Sequence, residues 1–307
     1  DDKRHWFRYH HLFADVLQAR ALEEQPNQAP TWHLRASQWY EQNNLPADAV
    51  RHALAAKDFE RAATLIELAW RAMDQSLQSA AWLGWAKGLP DELVYTRPVL
   101  SVGYAWALLD GGKLDEAEAR LQDAERWLDK ATDWSERMVA PSAQMVVVDE
   151  NEFRSLPGTI AAARAYVAQA RGDLADTMKY ARQALDLFSE DAFLKRAVPG
   201  ALLGLAYWAN GELEAAYQAL GDSMTAFQKA GNILLGISGT FGLADIRVAQ
   251  GRLREAISIY EHSLRLVTTE GKPVIQGTAD LHLGLSELYA EQGKLAAAAK
   301  HLLKSEA

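Results

Sequence analysis

The sequence predicts an all-α protein, a row of helical hairpins that stack into a solenoid because no single hairpin can bury both its faces. Three observations carry this. A short phrase, Gly-x-Leu-x-x-small, recurs at a near-constant interval. The residues between the phrases follow helical 3-4 apolar spacing, as Leu253, Ala256, Ile257, Tyr260 and Leu264 do. Long alternating runs are missing, Met145–Val148 being the main β-branched stretch.

The phrase reads Gly112-Lys113-Leu114-Asp115-Glu116-Ala117 and Gly172-Asp173-Leu174-Ala175-Asp176-Thr177. It returns as Gly211-Glu212-Leu213-Glu214-Ala215-Ala216, Gly251-Arg252-Leu253-Arg254-Glu255-Ala256 and Gly293-Lys294-Leu295-Ala296-Ala297-Ala298. A weaker copy, Lys57-Asp58-Phe59-Glu60-Arg61-Ala62, precedes them. The last four glycines stand 39, 40 and 42 residues apart, whereas Gly112 and Gly172 are separated by 60. The excess predicts a loop-rich insertion near 132–156, where Pro141 and Pro157 flank the carboxylate run Asp149-Glu150-Asn151-Glu152.

Other positions keep phase. Seven residues before each glycine stand Ala105, Ala165, Gly204, Ala244 and Ser286; twelve after stand Ala124, Ala184, Ser223, Ser263 and Ser305. Small side chains there let two antiparallel helices approach closely. The glycine supplies the left-handed residue that ends the first helix. Five copies with several phased positions are hard to obtain by chance.

Composition narrows the function. Of 307 residues, 49% are hydrophobic and 24% charged, which is ordinary for a folded chain. With 32 Lys+Arg against 41 Asp+Glu the formal charge is −9, a poor basis for wrapping a polyphosphate. The absence of cysteine excludes disulfides, thiolate zinc sites and cysteine nucleophiles. No apolar run reaches the ~18 residues of a membrane span; the longest, Ile160–Ala170, is broken by Arg164. The start, Asp1-Asp2-Lys3-Arg4-His5-Trp6, reads as a cut inside a larger protein rather than as a signal peptide.

The phased small–Gly–Leu–small pattern resembles tetratricopeptide repeats, with a period nearer 40 than 34 and without most of that family's Trp and Pro positions. The resemblance implies a right-handed superhelix. Trp6-Phe7-Arg8-Tyr9-His10-His11-Leu12-Phe13-Ala14-Asp15-Val16-Leu17 and the stretch from Trp39 to Leu54 are similar to parts of MalT-like transcriptional activators of the LuxR class, among the signal-transduction ATPases with numerous domains. In that family a nucleotide-binding module leads through a winged-helix-like region into helical repeats, and a helix-turn-helix closes the chain. The resemblance implies that residues 1–43 are the tail of the winged-helix-like module with linking helices, the first dozen adding one short strand. Residues 44–307 are then a repeat sensor domain in the cytoplasm. It implies a small-molecule inducer such as a sugar, regulatory protein partners, ATP held by an upstream module, and DNA contacted only through a downstream one. No Gly-x-x-x-x-Gly-Lys-Ser/Thr loop occurs, since Gly271-Lys272 runs into Pro273; no cofactor is expected here.

Catalytic constellations are missing. Adjacent His10 and His11 point apart on a helix and with His5 make a poor metal site. Gly236-Ile237-Ser238-Gly239 lacks the spacing of a nucleophile elbow. Neither an enzyme nor a metal site is expected. The aromatic residues say more. Trp32, Trp39, Trp70, Trp82 and Trp85 lie in apolar helical segments and are predicted for the core. By resemblance to tetratricopeptide repeats, positions six and three before each turn glycine look into the concave groove: Trp106/Leu109, Tyr166/Gln169, Leu205/Trp208, Asp245/Val248 and Glu287/Ala290, with Phe241 ten before Gly251. Aromatic faces mixed with carboxylates and amides suit a polar small molecule. The predicted ligand wall is Trp106, Tyr166, Gln169, Trp208, Phe241, Asp245 and Glu287. Packing of these rings between repeats is the competing reading, and a groove that docks a partner peptide or helix is the alternative function.

Overall fold

The computed structural model describes residues 11–131, 145–267 and 277–306. The short strand expected in the first dozen residues and the Gly271-Lys272-Pro273 sequence lie outside, apart from the start of the first helix. Among the described residues the fold is all-α and tetratricopeptide-like, with no strand. The chain divides into two compact units, Asp1–Phe153 and Arg154–Ala307.

In the first unit, α1 (His11–Glu24) leads through a 3-10 turn to α2 (Ala29–Gln42), which folds back on α3 (Pro46–Ala55). The Ser37 hydroxyl donates to the Ala49 carbonyl at 2.8 Å, and Ala49, Val50 and Ala53 are buried beside it. The expected division at 43/44 therefore falls in the turn of a closed hairpin. Next, α4 (Phe59–Gln75) starts at Asp58, whose carboxylate accepts from the Arg61 N–H at 3.1 Å. After α5 (Ser79–Ala86) and α6 (Asp91–Tyr95) comes the hairpin of α7 (Pro98–Asp110) and α8 (Leu114–Ala131). Nearly all of α7 is buried, and Gly103 lies so close to Trp70 that a Cβ there would stand 2.9 Å from the ring.

One buried ion pair braces this unit. Arg97, 3% exposed, donates to Glu60 at 2.8 Å and to Glu67 at 3.4 Å. Burial pushes the Glu67 carboxyl up to about 7 against the opposing pull of Arg97 and of the Val148 N–H. The segment 145–149 thus docks by its backbone, with the Val146 N–H donating to the Thr96 carbonyl at 2.9 Å.

The loop expected over 132–156 differs from the structure at its end. Residues 145–149 are irregular, but α9 (Glu150–Ala170) begins before Pro157. The reason is Asp149, whose carboxylate accepts from the Asn151 and Glu152 N–H groups at 2.8 and 3.1 Å. The carboxylate run read as a solvated loop is a helix start, and Glu152 pairs with Arg71 at 2.7 Å. Pro157 sits inside α9, where it removes one backbone donor. Residues 132–144 lie outside the described residues.

From Arg154 onward the hairpins are regular: α9 with α10 (Leu174–Leu187), where Ala165 packs with Ala181, then α11 (Phe193–Ala209) with α12 (Leu213–Lys229). The next first helix is split into α13 (Ile233–Ser238) and α14 (Thr240–Ala249) and pairs with α15 (Leu253–Val267). The last pair is α16 (Thr278–Glu291) and α17 (Leu295–Ser305). Gly172, Gly211, Gly251 and Gly293 all carry φ between 72° and 82°. At the first, the Asp173 N–H reaches back to the Ala168 carbonyl at 2.9 Å, the closure expected after a left-handed residue. The phased small residues sit where the helices meet. Gly204 admits Leu220, whose Cγ would stand 2.6 Å from a Cβ, and the Ser223 hydroxyl donates to the Ala197 carbonyl at 2.7 Å.

The tryptophans divide. Trp70 and Trp82 are core residues and Trp85 is half-buried, but Trp32 and Trp39 are 38% and 44% exposed. Helix α2 turns its Ser37 face to α3 and leaves those two rings on its remaining surface.

Candidate ligand-binding face

Three of the residues predicted for the wall converge in the second unit, and the residue that joins them is Tyr260. Phe241 and Asp245 lie one turn apart on α14, both exposed; Glu287 is exposed on α16. Between those helices rises Tyr260 of α15, 5% exposed. Its ring meets Phe241 edge-on at a centroid distance of 5.7 Å. It passes α16 at Gly284, where an added Cβ would lie 2.4 Å from Cζ and 2.6 Å from the hydroxyl. That hydroxyl has no hydrogen-bond partner among the described residues. Burial, with the negative charges of Asp245 and Glu287, pushes it up to about 12. Burial also raises the Asp245 carboxyl above its ordinary value. The result is a half-open patch with two aromatic rings, two carboxylates and a phenol donor. It can stack against a flat or ring-shaped group and accept or donate hydrogen bonds around its edge.

The other predicted residues have separate surroundings. Tyr166 is half-buried against Ala165, Ala181, Leu202 and Leu203. Gln169 is half-buried, and its Oε1 has no hydrogen-bond partner among the described residues. Trp208 is half-buried on the cluster of Leu220, Leu243 and Ile246, with its ring 3.3 Å from where a Cβ on Gly242 would stand. It therefore packs between repeats with one face while the rest stays accessible. Trp106 is half-buried on α7 in the first unit. Sequence reasoning missed Tyr260 because it sits on a second helix, read as core. A signal was present: nine residues after the turn glycine the preceding repeats carry Leu220 and Ala181, and this one a tyrosine opposite Gly284.

The half-open pockets lie elsewhere. A cavity of about 490 Å³ between α10, α11 and α12 is lined by Phe193, Arg196, Tyr207 and Lys229. Another of about 440 Å³ lies between α12, α14 and α15, and one of about 760 Å³ surrounds Arg120 in the first unit. None of the seven predicted residues lines any of these three.

Comparison with known proteins fixes what kind of repeat this is. Residues 158–306 match the model of the MalT-like TPR region, and residues 1–29 match that of the MalT winged helix domain. Residues 158–306 are a MalT-like tetratricopeptide-repeat region. The HTH-type transcriptional regulator MalT of Serratia proteamaculans (strain 568) is 26% identical over 87% of the chain, which spans 28% of that protein. The serine/threonine-protein kinase PknK of Mycobacterium tuberculosis (strain ATCC 25618 / H37Rv) is 35% identical over 35% of the chain, and that stretch covers 10% of the kinase. Among solved structures, a signal-transduction ATPase with a tetratricopeptide repeat sensor from Pyrococcus horikoshii superposes with a TM-score of 0.62 at 14% identity. The match takes in 91% of this chain and 40% of that chain. BtubC from P. vanneervenii superposes with a TM-score of 0.51 at 15% identity, covering 84% of this chain and 90% of its own. These two likenesses concern the fold. Among the described residues, no helix of the MalT-like region is long and apolar enough to cross a membrane.

Proposed function

We propose that this MalT-like region is the non-catalytic, ligand-sensing part of a transcriptional activator, and that the Phe241–Asp245–Tyr260–Glu287 patch receives its inducer. A polar small molecule, a sugar among the candidates, stacks on Phe241 and hydrogen-bonds the carboxylates and the Tyr260 hydroxyl. Binding then biases an upstream ATP-dependent switch and a downstream DNA-binding module through its different affinity for two states of the protein. The observation that supports this reading most is the Tyr260 hydroxyl, admitted past Gly284 and without a hydrogen-bond partner among the described residues. The exposure of Phe241, Asp245 and Glu287 favours a second reading, a docking face for a partner peptide.

Thermal shift of the 307-residue chain against a panel of neutral oligosaccharides, amines and other metabolites separates the two. A ligand at 100 times its Kd stabilises the folded state by about 2.7 kcal/mol. The expected result is a hit whose shift is lost in Phe241→Ala. A panel without hits would favour the docking face.

A further inference from the structure

The first and last described hairpins carry the same side-chain constellation, 249 residues apart and without a role in the patch above. In the first, His33-x-x-x-Ser37-x-x-Tyr40 on α2 faces Ala49-x-x-His52 on α3. In the last, His282-x-x-x-Ser286-x-x-Tyr289 on α16 faces Ala298-x-x-His301 on α17. The spacings are identical and the geometry is similar, with the rings inclined differently. Ser37 donates to the Ala49 carbonyl at 2.8 Å and Ser286 to the Ala298 carbonyl at 2.9 Å, which pins the two helices of each hairpin at one separation. One turn away, His33 Nδ1 meets His52 Nδ1 at 2.8 Å, and His282 Nδ1 meets His301 Nδ1 at 3.0 Å. Tyr40 stacks on His52 with centroids 5.3 Å apart, and Tyr289 lies against His301 at 5.5 Å.

Two imidazole nitrogens at such a distance share either a proton or a metal ion. All four rings are half-buried, so they are fixed by packing yet reachable from solvent. The separation also selects the ion. With metal–nitrogen bonds of about 2.0–2.1 Å, nitrogens 2.8–3.0 Å apart subtend about 85–95° at the metal. Tetrahedral coordination would need them about 3.3 Å apart. Right-angled imidazole ligands suit square-planar or octahedral Ni(II) or Cu(II), with water in the other positions.

We propose that each of these two hairpins carries a two-histidine site for a divalent transition ion of the Ni(II)/Cu(II) type, clamping its first helix to its second. Among the described residues no group of three or more ligating side chains converges, so these are two-ligand sites that exchange with solvent, not closed structural ones.

The test is titration of the 307-residue chain with Ni(II) alone, followed by calorimetry, against His52→Gln, His301→Gln and the double variant. The chain holds eight histidines, so only the difference from the double variant counts. The wild type should bind two more equivalents than the double variant. Each single variant should lose one of them, with affinity at that hairpin falling at least about tenfold, since even outer-shell losses cost 10–100-fold. Equal stoichiometry and affinity in wild type and double variant would overturn the proposal and leave each pair as a shared proton. Should a variant fail to fold, Cu(II) electron paramagnetic resonance on the wild type reads the same point. Two equatorial nitrogens on each of two ions support the sites, and a single nitrogen per ion rejects them.

Discussion

The two units solve the same two problems with different chemistry. Each must end its helices with a left-handed residue, and each buries an arginine. In the second unit the turns at Gly172, Gly211, Gly231, Gly251, Gly277 and Gly293 use glycine throughout. Among the described residues of the first, Asn44, Lys57 and Leu77 hold φ of 56–58°, and only Gly112 is relaxed. For a residue with a Cβ that conformation costs about 1–2 kcal/mol. The arginines differ likewise. Arg97 faces Glu67, whose carboxylate is almost fully buried. Arg247 lies over the Tyr217 ring at 3.4 Å and pairs with Glu214 and Glu255, which stay well exposed. Fold regularity is thus concentrated in the second unit, and local strain and buried charge in the first.

The largest effect should come from Arg97→Ala. It strands Glu67 and should cost about 3–5 kcal/mol in urea unfolding, as breaking a buried pair usually does. The loss should be larger at pH 8 than at pH 5, because a protonated Glu67 carries no charge to strand. Arg247→Ala should cost only about 1 kcal/mol, since its carboxylates return to water and mainly the contact with Tyr217 is lost. Equal losses would erase the contrast between the units. Gly284→Ala should destabilise by about 1–3 kcal/mol, because Tyr260 has no room to retreat.

Smaller effects should have opposite signs in the two units. Leu77→Gly relieves its backbone and should raise the melting temperature slightly. Gly251→Ala forces a Cβ into the same conformation and should lower stability by about 1 kcal/mol. The pH profile divides by residue. Glu67 is raised from 4.5 to about 7, so the folded state holds the extra proton between those values; its contribution is full below 4.5 and is lost as pH rises through 7. His52, His282 and His301 are lowered from 6.5, so their contribution is present above 6.5 and lost as pH falls. Glu67→Gln should flatten the first slope and His52→Gln part of the second in denaturation series run across that range.

How much of this was legible follows from the same contrast. Glycine turns and phased small residues revealed the hairpins from Gly112 onward because glycine marks a left-handed turn unambiguously. The α2/α3 hairpin, turning at Asn44, was divided between the linking helices and the repeat domain because asparagine makes the same turn without the same signature. Asp149 and Pro157 looked like loop residues, yet one caps α9 and the other lies within it; the sequence alone does not reveal whether a cap is used. Positions six before the turn glycine were placed by resemblance to tetratricopeptide repeats, and Asp245 and Glu287 are exposed there. Tyr260 and the histidine pairs escaped notice because each depends on contacts between helices, which periodicity along one helix does not report.

The most direct test of the ligand-binding account is calorimetry of a panel hit on wild type, Phe241→Ala, Asp245→Asn and Tyr260→Phe, with melting temperatures measured alongside. The expected result is a loss of affinity of about tenfold or more in Phe241→Ala and smaller losses in the other two, with the fold retained, since single aromatic contacts contribute on the order of 1 kcal/mol or more. Wild-type affinity in all three folded variants would show that the ligand binds elsewhere and contradict the assignment of this face.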